Sequence, residues 1–213
     1  MVSRMNLVRV GCCAVVAILL SCAPSFAQER LPPLSPEKMS PEQKKAYDEY
    51  MTARKSPPAG PFAVMLGVPD TMDLAFKWRQ HLTANPAISP RLTEFVIMVT
   101  ARHWTQQYEW NAHVAAALRQ GVKQDTITAI AEGRRPTAMS DDEGIMYDLL
   151  TELLHNHGVS DATYTKALAT FGEAGIVEAT SQAGYYTMLA MVMNTARTPL
   201  PNGTKLPLTL FPQ

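Results

Sequence analysis

The sequence has little cysteine, and the positions of its three cysteines decide what chemistry is open to it. Cys12, Cys13 and Cys22 all stand before Ala23 in a chain of 213 residues. The remainder has no thiol nucleophile, no thiolate metal ligand and no means of forming a disulfide. Charge of one sign is also missing, because 19 Lys+Arg balance 19 Asp+Glu. Without a basic stripe, nucleic acid is not an expected partner. Charged residues make up 18% and apolar residues 46%, which excludes a disordered chain. The one apolar run near membrane length, Val10 to Leu20, has 11 residues, short of the roughly 20 a span needs. No stretch alternates with period two over a strand length, and the only Asn-Gly, Asn202-Gly203, joins no β-rich runs. These absences leave an all-α chain of one domain or two small ones.

What is present begins with an address. Arg4 and Arg9 precede the apolar run, and Ser25-Phe26-Ala27 supplies a small-x-small site. This order predicts a secretory signal cleaved after Ala27 and an exported protein, periplasmic or secreted. A second reading takes Leu19-Leu20-Ser21-Cys22 as a lipoprotein box that leaves Cys22 as a lipid anchor. Removing residues 1–27 takes away two arginines and no acid, so the exported chain of 186 residues carries a formal charge of −2.

Helix starts punctuate the rest. Residues 28–60 read as a Pro-rich arm followed by a first helix, which Ser40-Pro41-Glu42-Gln43 opens with an N-cap, an N1 proline and a capping-box Gln. Residues 61–198 read as the main helical domain and 199–213 as a Pro-rich tail. Asp70 caps a helix to about Thr83 with Met72, Leu74, Ala75 and Trp78 on or near one face. Ser89-Pro90 starts a helix to about His103, and a further helix runs from about Gln106 to Gln120, before Gly121. Short and longer helices follow from Gln124 to Glu132, from the capping box Ser140–Glu143 to Gly158, and from Ser160 through Phe171. Glu173 to about Arg197 is apolar on nearly all sides and predicts a central buried helix.

Candidate chemistry gathers between Glu94 and His113, in EFVIMVTARHWTQQYEWNAH. Gln106, Glu109 and His113 fall at i, i+3 and i+7 and share one helical stripe. The short Trp104-Thr105 connection turns this helix back against the one that carries Glu94 and Arg102. A carboxylate beside an imidazole fixes its tautomer and makes a workable acid/base pair.

The same stretch resembles the carboxymuconolactone decarboxylase / alkylhydroperoxidase D family. Redox members carry Glu, eleven residues, Cys, two residues, Cys, three residues, His. Counted from Glu94, those positions are Gln106, Glu109 and His113. Both cysteines are replaced, and Tyr108-Glu109-Trp110 with His113 is similar to the cysteine-free, decarboxylase-like branch. Arg91–Glu94, Ala101–Trp104, Ala117–Gly121, Phe171–Gly175 and Gly184–Thr187 extend the resemblance over roughly residues 60 to 200. It implies an alkylhydroperoxidase D-like helical bundle, assembly into trimers or hexamers, and loss of CO2 from a small lactone acid with no metal and no organic cofactor. On this reading His113 is the acid/base, Glu109 its partner or a second acid/base, and Glu94 the orienting carboxylate. Tyr108 donates to a developing enolate oxygen, and Gln106, Trp104, Trp110 and Arg102 line the substrate pocket. A peroxidase is the rival enzyme reading, opposed by the missing Cys pair. A non-catalytic ligand-binding or assembly protein is the third.

Plainer readings stand beside these. Glu109–His113 as a mere surface pair is worth about 0.2–0.5 kcal/mol. Glu94 pairs with Arg102 or with His113. His103, His155 and His157 read as dipole partners at helix C-termini and not as a metal site. Tyr185 and Tyr186, like Tyr108, Trp104 and Trp110, are either core or pocket wall. The ten methionines after Ala27 read as gap fillers.

Overall fold

The structure, a computed structural model, describes residues 29–84, 86–201 and 204–210. The expected signal segment, with its cleavage site at Ala27 and Cys22, and the Asn202-Gly203 turn lie outside the described residues. Proline opens most of the early helices, since its fixed φ suits the first turn and its missing N–H costs nothing there. They are α1 (Pro41–Arg54), α2 (Pro61–Met65), α3 (Pro69–Ala84) and α4 (Pro90–His103). After them come α5 (Gln107–Arg119), α6 (Gln124–Ala131), α7 (Asp141–Thr151) and α8 (Asp161–Ala196). The serine caps are those the spacing predicts, whereas α3 starts at Pro69, so Asp70 lies inside its first turn and is not its cap. Ser40 Oγ accepts from the Gln43 N–H at 3.2 Å while Gln43 Oε1 accepts from the Ser40 N–H at 2.9 Å. Ser89 caps α4 through the Leu92 N–H, and Ser160 caps α8 through the Thr163 N–H. Among the described residues there is no strand, and the fold is all-α.

Helix α4 runs through the middle, with Phe95, Val96 and Met98 fully buried. Two apolar clusters meet at it. One joins α4 to α5, α6, α7 and the earlier part of α8 through Trp110, Ile127, Leu149, Leu150 and Ala167. The other joins it to α1, α2, α3 and the second half of α8 through Tyr50, Phe62, Met72, Tyr186 and Leu189. The functional pocket belongs to this second side.

Three expectations change. Leu74 and Trp78 do not share the buried face of α3: they are 68% and 40% exposed, whereas Met72, Ala75 and Leu82 are buried. Residues two apart on a helix are about 200° apart around its axis, so Leu74 points away from Met72. Helix α8 holds the two helical segments expected on either side of Gly172, whose φ of 66° and ψ of 176° break the helical path, but the second is not buried all round. That segment buries one side only, since Val177 and Met191 stay exposed. The tail is no loose end over 204–210. Leu208 is buried, its N–H donates to Gln107 Oε1 at 2.9 Å, and its carbonyl accepts from Gln107 Nε2 at 2.8 Å.

The start of α4 is tied to the start of α7. Arg91 donates to Asp142 Oδ2 and to Glu143 Oε1, both at 2.6 Å, and Glu143 is buried. Removing the guanidinium leaves a buried carboxylate without its cation, which costs about 3 kcal/mol. Arg91→Ala therefore lowers the urea midpoint, and adding Glu143→Gln restores part of the loss. A double variant no more stable than Arg91→Ala would show that charge burial is not the cause.

Candidate active site

His113 faces inward from the second turn of α5 and is half-buried. Its Nδ1 lies 2.9 Å from Glu94 Oε2 on α4. A carboxylate only accepts, so Nδ1 carries the proton and donates it to Glu94. That leaves the Nε2 lone pair turned toward Tyr186 Oη at 3.2 Å and Glu109 Oε2 at 3.5 Å. The helix-surface reading of Glu109–His113 fails here, because Glu109 is buried. Glu94 pairs with His113 and not with Arg102.

Burial pushes the Glu109 carboxyl above its ordinary value; the imidazole of His113 and the guanidinium of Arg79 pull weakly the other way. Burial also drives the Tyr186 phenol well above its ordinary value, with the Glu109 carboxylate adding to the rise. Tyr186 is thus held as a neutral O–H, a donor at neutral pH. His113, Glu109 and Tyr186 open onto a pocket of about 210 Å³ whose wall includes Tyr50, Phe62, Arg79, Tyr108 and Leu189, with the exposed Arg54 at the rim.

Gln106, Trp104, Trp110 and Arg102, expected as pocket lining, stand elsewhere. Gln106 is buried at the N-cap of α5, where its Oε1 accepts from the Tyr108 N–H at 2.6 Å and the Glu109 N–H at 3.3 Å. Trp104 donates its indole N–H to Thr187 Oγ1 at 3.1 Å. Trp110 is buried in the opposite cluster, packed into the core and not onto the pocket. Arg102 reaches the tail, donating to the Thr209 carbonyl at 2.7 Å. Tyr108 does line the pocket, with its ring packed over Gly60 so closely that a Cβ there would sit 2.5 Å from it. The phenol that meets His113 is Tyr186.

Tyr186, Arg79, Arg54 and Tyr50 are the site residues that sequence reasoning missed or left undecided. Arg79 had a signal: it interrupts the stripe Met72, Ala75, Leu82 at helical spacing, a charge on an otherwise apolar face. His103 and His155 are not simple dipole partners. Their rings meet edge to face at 4.7 Å, and burial, with His155 and His157 adding, pushes the His103 value down. Among the described residues no group of three His, Cys, Asp or Glu side chains is placed to hold a metal ion.

This geometry defines a class: an all-α bundle with an imidazole held between two carboxylates at the bottom of a small pocket. Residues 69–143 match the model of the carboxymuconolactone decarboxylase family. The fold is similar to the alkylhydroperoxidase D core of an uncharacterized peroxidase-related protein from Ralstonia eutropha JMP134. The TM-score is 0.66 at 13% identity, over 82% of this chain and 93% of that one. It is also similar to a cysteine-to-alanine variant of the debrominase Bmp8 in complex with 2,3,4-tribromopyrrole, with a TM-score of 0.63 at 12% identity, over 83% of this chain and 94% of the other. At these identities the likeness is one of fold. No curated protein matches the sequence.

The Glu109 shift makes a stability statement. A carboxyl with a raised folded value keeps its proton in the folded chain where the unfolded chain has released it. The stability so contributed is full below the unfolded value near 4.5 and is lost as pH rises through the raised folded value. Glu109→Gln cannot ionise and escapes that loss. Its melting temperature relative to the unaltered chain is expected to climb as pH goes from about 4 to about 8. A gap that stays constant across that range would show that Glu109 ionises freely in the folded protein.

Proposed function

We propose that the protein is an exported, cofactor-independent acid/base enzyme of the cysteine-free, decarboxylase-like branch, working as a homo-oligomer on a small carboxylated or lactone-type molecule. The observation that carries this reading is the Glu94–His113 hydrogen bond with Tyr186 and Glu109 on the opposite ring nitrogen. Glu94 fixes the tautomer, so Nε2 is the base. When it takes a proton from carbon, the Glu94 carboxylate on the opposite ring nitrogen stabilises the imidazolium. Tyr186 then turns its O–H from the protonated ring to the oxygen on which enolate charge develops. In decarboxylation the bond to the carboxyl carbon breaks heterolytically and CO2 leaves. The electron pair passes into the conjugated lactone, and the proton that returns to carbon comes from Glu109 or the His113 imidazolium.

The redox alternative has no support at this site. The positions at which the resemblance places two thiols hold a helix cap, Gln106, and a buried carboxyl, Glu109. With no cysteine after Cys22, protein lacking residues 1–27 is expected to show no dithiol-dependent hydroperoxide turnover above background. Turnover in that protein would restore the peroxidase reading.

The acid/base reading is tested on a panel of unsaturated lactone acids and 3-oxo acids, followed by CO2 release and by deuterium uptake at carbon in D2O. His113→Gln is expected to lower the rate by about 10²–10⁴-fold, the usual worth of a positioned acid/base, with its melting temperature nearly unchanged. Full activity in His113→Gln would overturn the assignment. Inactivity of the unaltered chain on every compound would favour a ligand-binding protein on this fold.

A further inference from the structure

The pocket has two cations on its wall that the acid/base reading does not use. Arg79 comes from the buried face of α3 and Arg54 from the last turn of α1. Elsewhere on the molecule Arg91, Arg134 and Arg135 each sit directly on a carboxylate. Arg79 and Arg54 form no such salt bridge among the described residues, and both contribute to the same small pocket. We propose that Arg79, assisted by Arg54, is a carboxylate clamp that makes a small organic monoanion the molecule this pocket selects.

The charges in the pocket favour that assignment. Glu94 is engaged with His113, and the buried Glu109 leans toward its neutral form. Two guanidiniums on one small pocket, neither in a salt bridge among the described residues, leave a cationic wall, and an anionic ligand completes it. The guanidinium fork suits a planar carboxylate, which it grips through two parallel N–H donors. Arg79 is the inner member. Glu109, Tyr185 and Tyr186 all feel its charge, which sets it beside the reacting groups. Arg54 is exposed at the mouth and is felt by none of those three. Phe62, Tyr50 and Leu189 supply an apolar wall for the body of the ligand. At about 210 Å³ the pocket lies below the roughly 300–1,000 Å³ of sites for drug-sized ligands, so a single ring with a carboxylate is the scale that fits.

Arg54 stands outside the segment matched to the family. It reaches the pocket because the chain reverses after α1. Lys55 takes a φ of 57° and Gly60 a φ of 56°, and the Tyr108 ring closes over Gly60. The N-terminal helix is thus a selectivity element laid over a shared acid/base floor. The clamp deepens the acid/base reading by naming its recognition group. It rests on that reading only for what happens after the anion is bound.

The test is binding of benzoate against benzamide, two probes of one shape that differ in charge, measured calorimetrically at neutral pH. The unaltered chain is expected to prefer benzoate by about tenfold or more, the factor that one charge-assisted hydrogen bond supplies. Arg79→Gln abolishes the preference, Arg54→Gln reduces it several-fold, and His113→Gln leaves it standing. If Arg79→Gln does not fold, Arg79→Lys keeps the charge without the fork, and it is expected to bind benzoate more weakly than the unaltered chain. Equal binding of the two probes, binding of neither, or an unchanged preference in Arg79→Gln overturns the clamp. Turnover by the unaltered chain without a benzoate preference sinks the clamp and leaves the acid/base reading. A benzoate preference without turnover of any compound does the reverse.

Discussion

The pocket depends on one polar lock, the pair of Gln106 and Asn194 that pins the α4–α5 corner to α8. Gln106 donates through Nε2 to Asn194 Oδ1 at 2.9 Å, and Asn194 donates through Nδ2 to the Trp104 carbonyl at 3.0 Å. The Gln106 N–H closes the corner on the Ala101 carbonyl at 2.8 Å. From this fixed point, His113 is seven residues forward along α5, Tyr186 eight back along α8 and Glu94 seven back from Ala101 along α4. At 1.5 Å per residue each lies about 10–12 Å from the lock. Three side chains distant in sequence are therefore brought level, two turns from one corner. A slip of one residue in any helix would turn its contribution about 100° away from the other two.

The lock also explains how the site dispenses with sulfur. In the redox pattern that the sequence resembles, position 106 is a thiol exchanging with another at 109. Here Gln106 has become structural, capping α5 and bonding α8 with the two ends of one amide. Glu109, one turn on, is left as the only polar group of the pair that faces His113. Its side chain is 6% exposed against 17% for Glu94, and this difference sets their roles. The wetter carboxylate bonds the imidazole N–H and orients it, while the drier one is biased toward holding a proton. Two acids of one chemical type thus stand in different solvation, and the drier one has its carboxyl pushed above the ordinary range.

Local rules made the elements legible. Ser-Pro at residues 40–41 and 89–90, Ser160 and the Gly172 break each write a helix boundary into a few consecutive residues. Glu94, Glu109 and His113 were legible for a similar reason, since one short connection decides how two neighbouring helices face. Tyr186 was not, because its meeting with His113 spans 73 residues and depends on the register of α8. Trp104 and Trp110 misled because aromatic character cannot say which side of a helix faces the pocket and which the core. Pro-rich composition likewise hid Leu208, whose burial comes from a pair of hydrogen bonds to Gln107 and not from any pattern of its own.

The division of labour along the chain follows from these constraints. The family-matched segment supplies Arg79, Glu94, Glu109 and His113. The roof and the phenol come from its flanks: Tyr50 and Arg54 from α1, Tyr186 from α8. The floor is hard to change, since each member is fixed by two packed helices and moving one misaligns the rest. The roof is easier to change. Helix α1 buries only Tyr50 and packs mainly on α3, so its outer positions vary at little cost to the core. A fold arranged this way keeps one polar cluster fixed between packed helices while the segment laid across its mouth is left free to vary. Low identity to its structural neighbours is then compatible with a shared fold, because packed helices tolerate exchange of apolar residues as long as volume and pattern are kept.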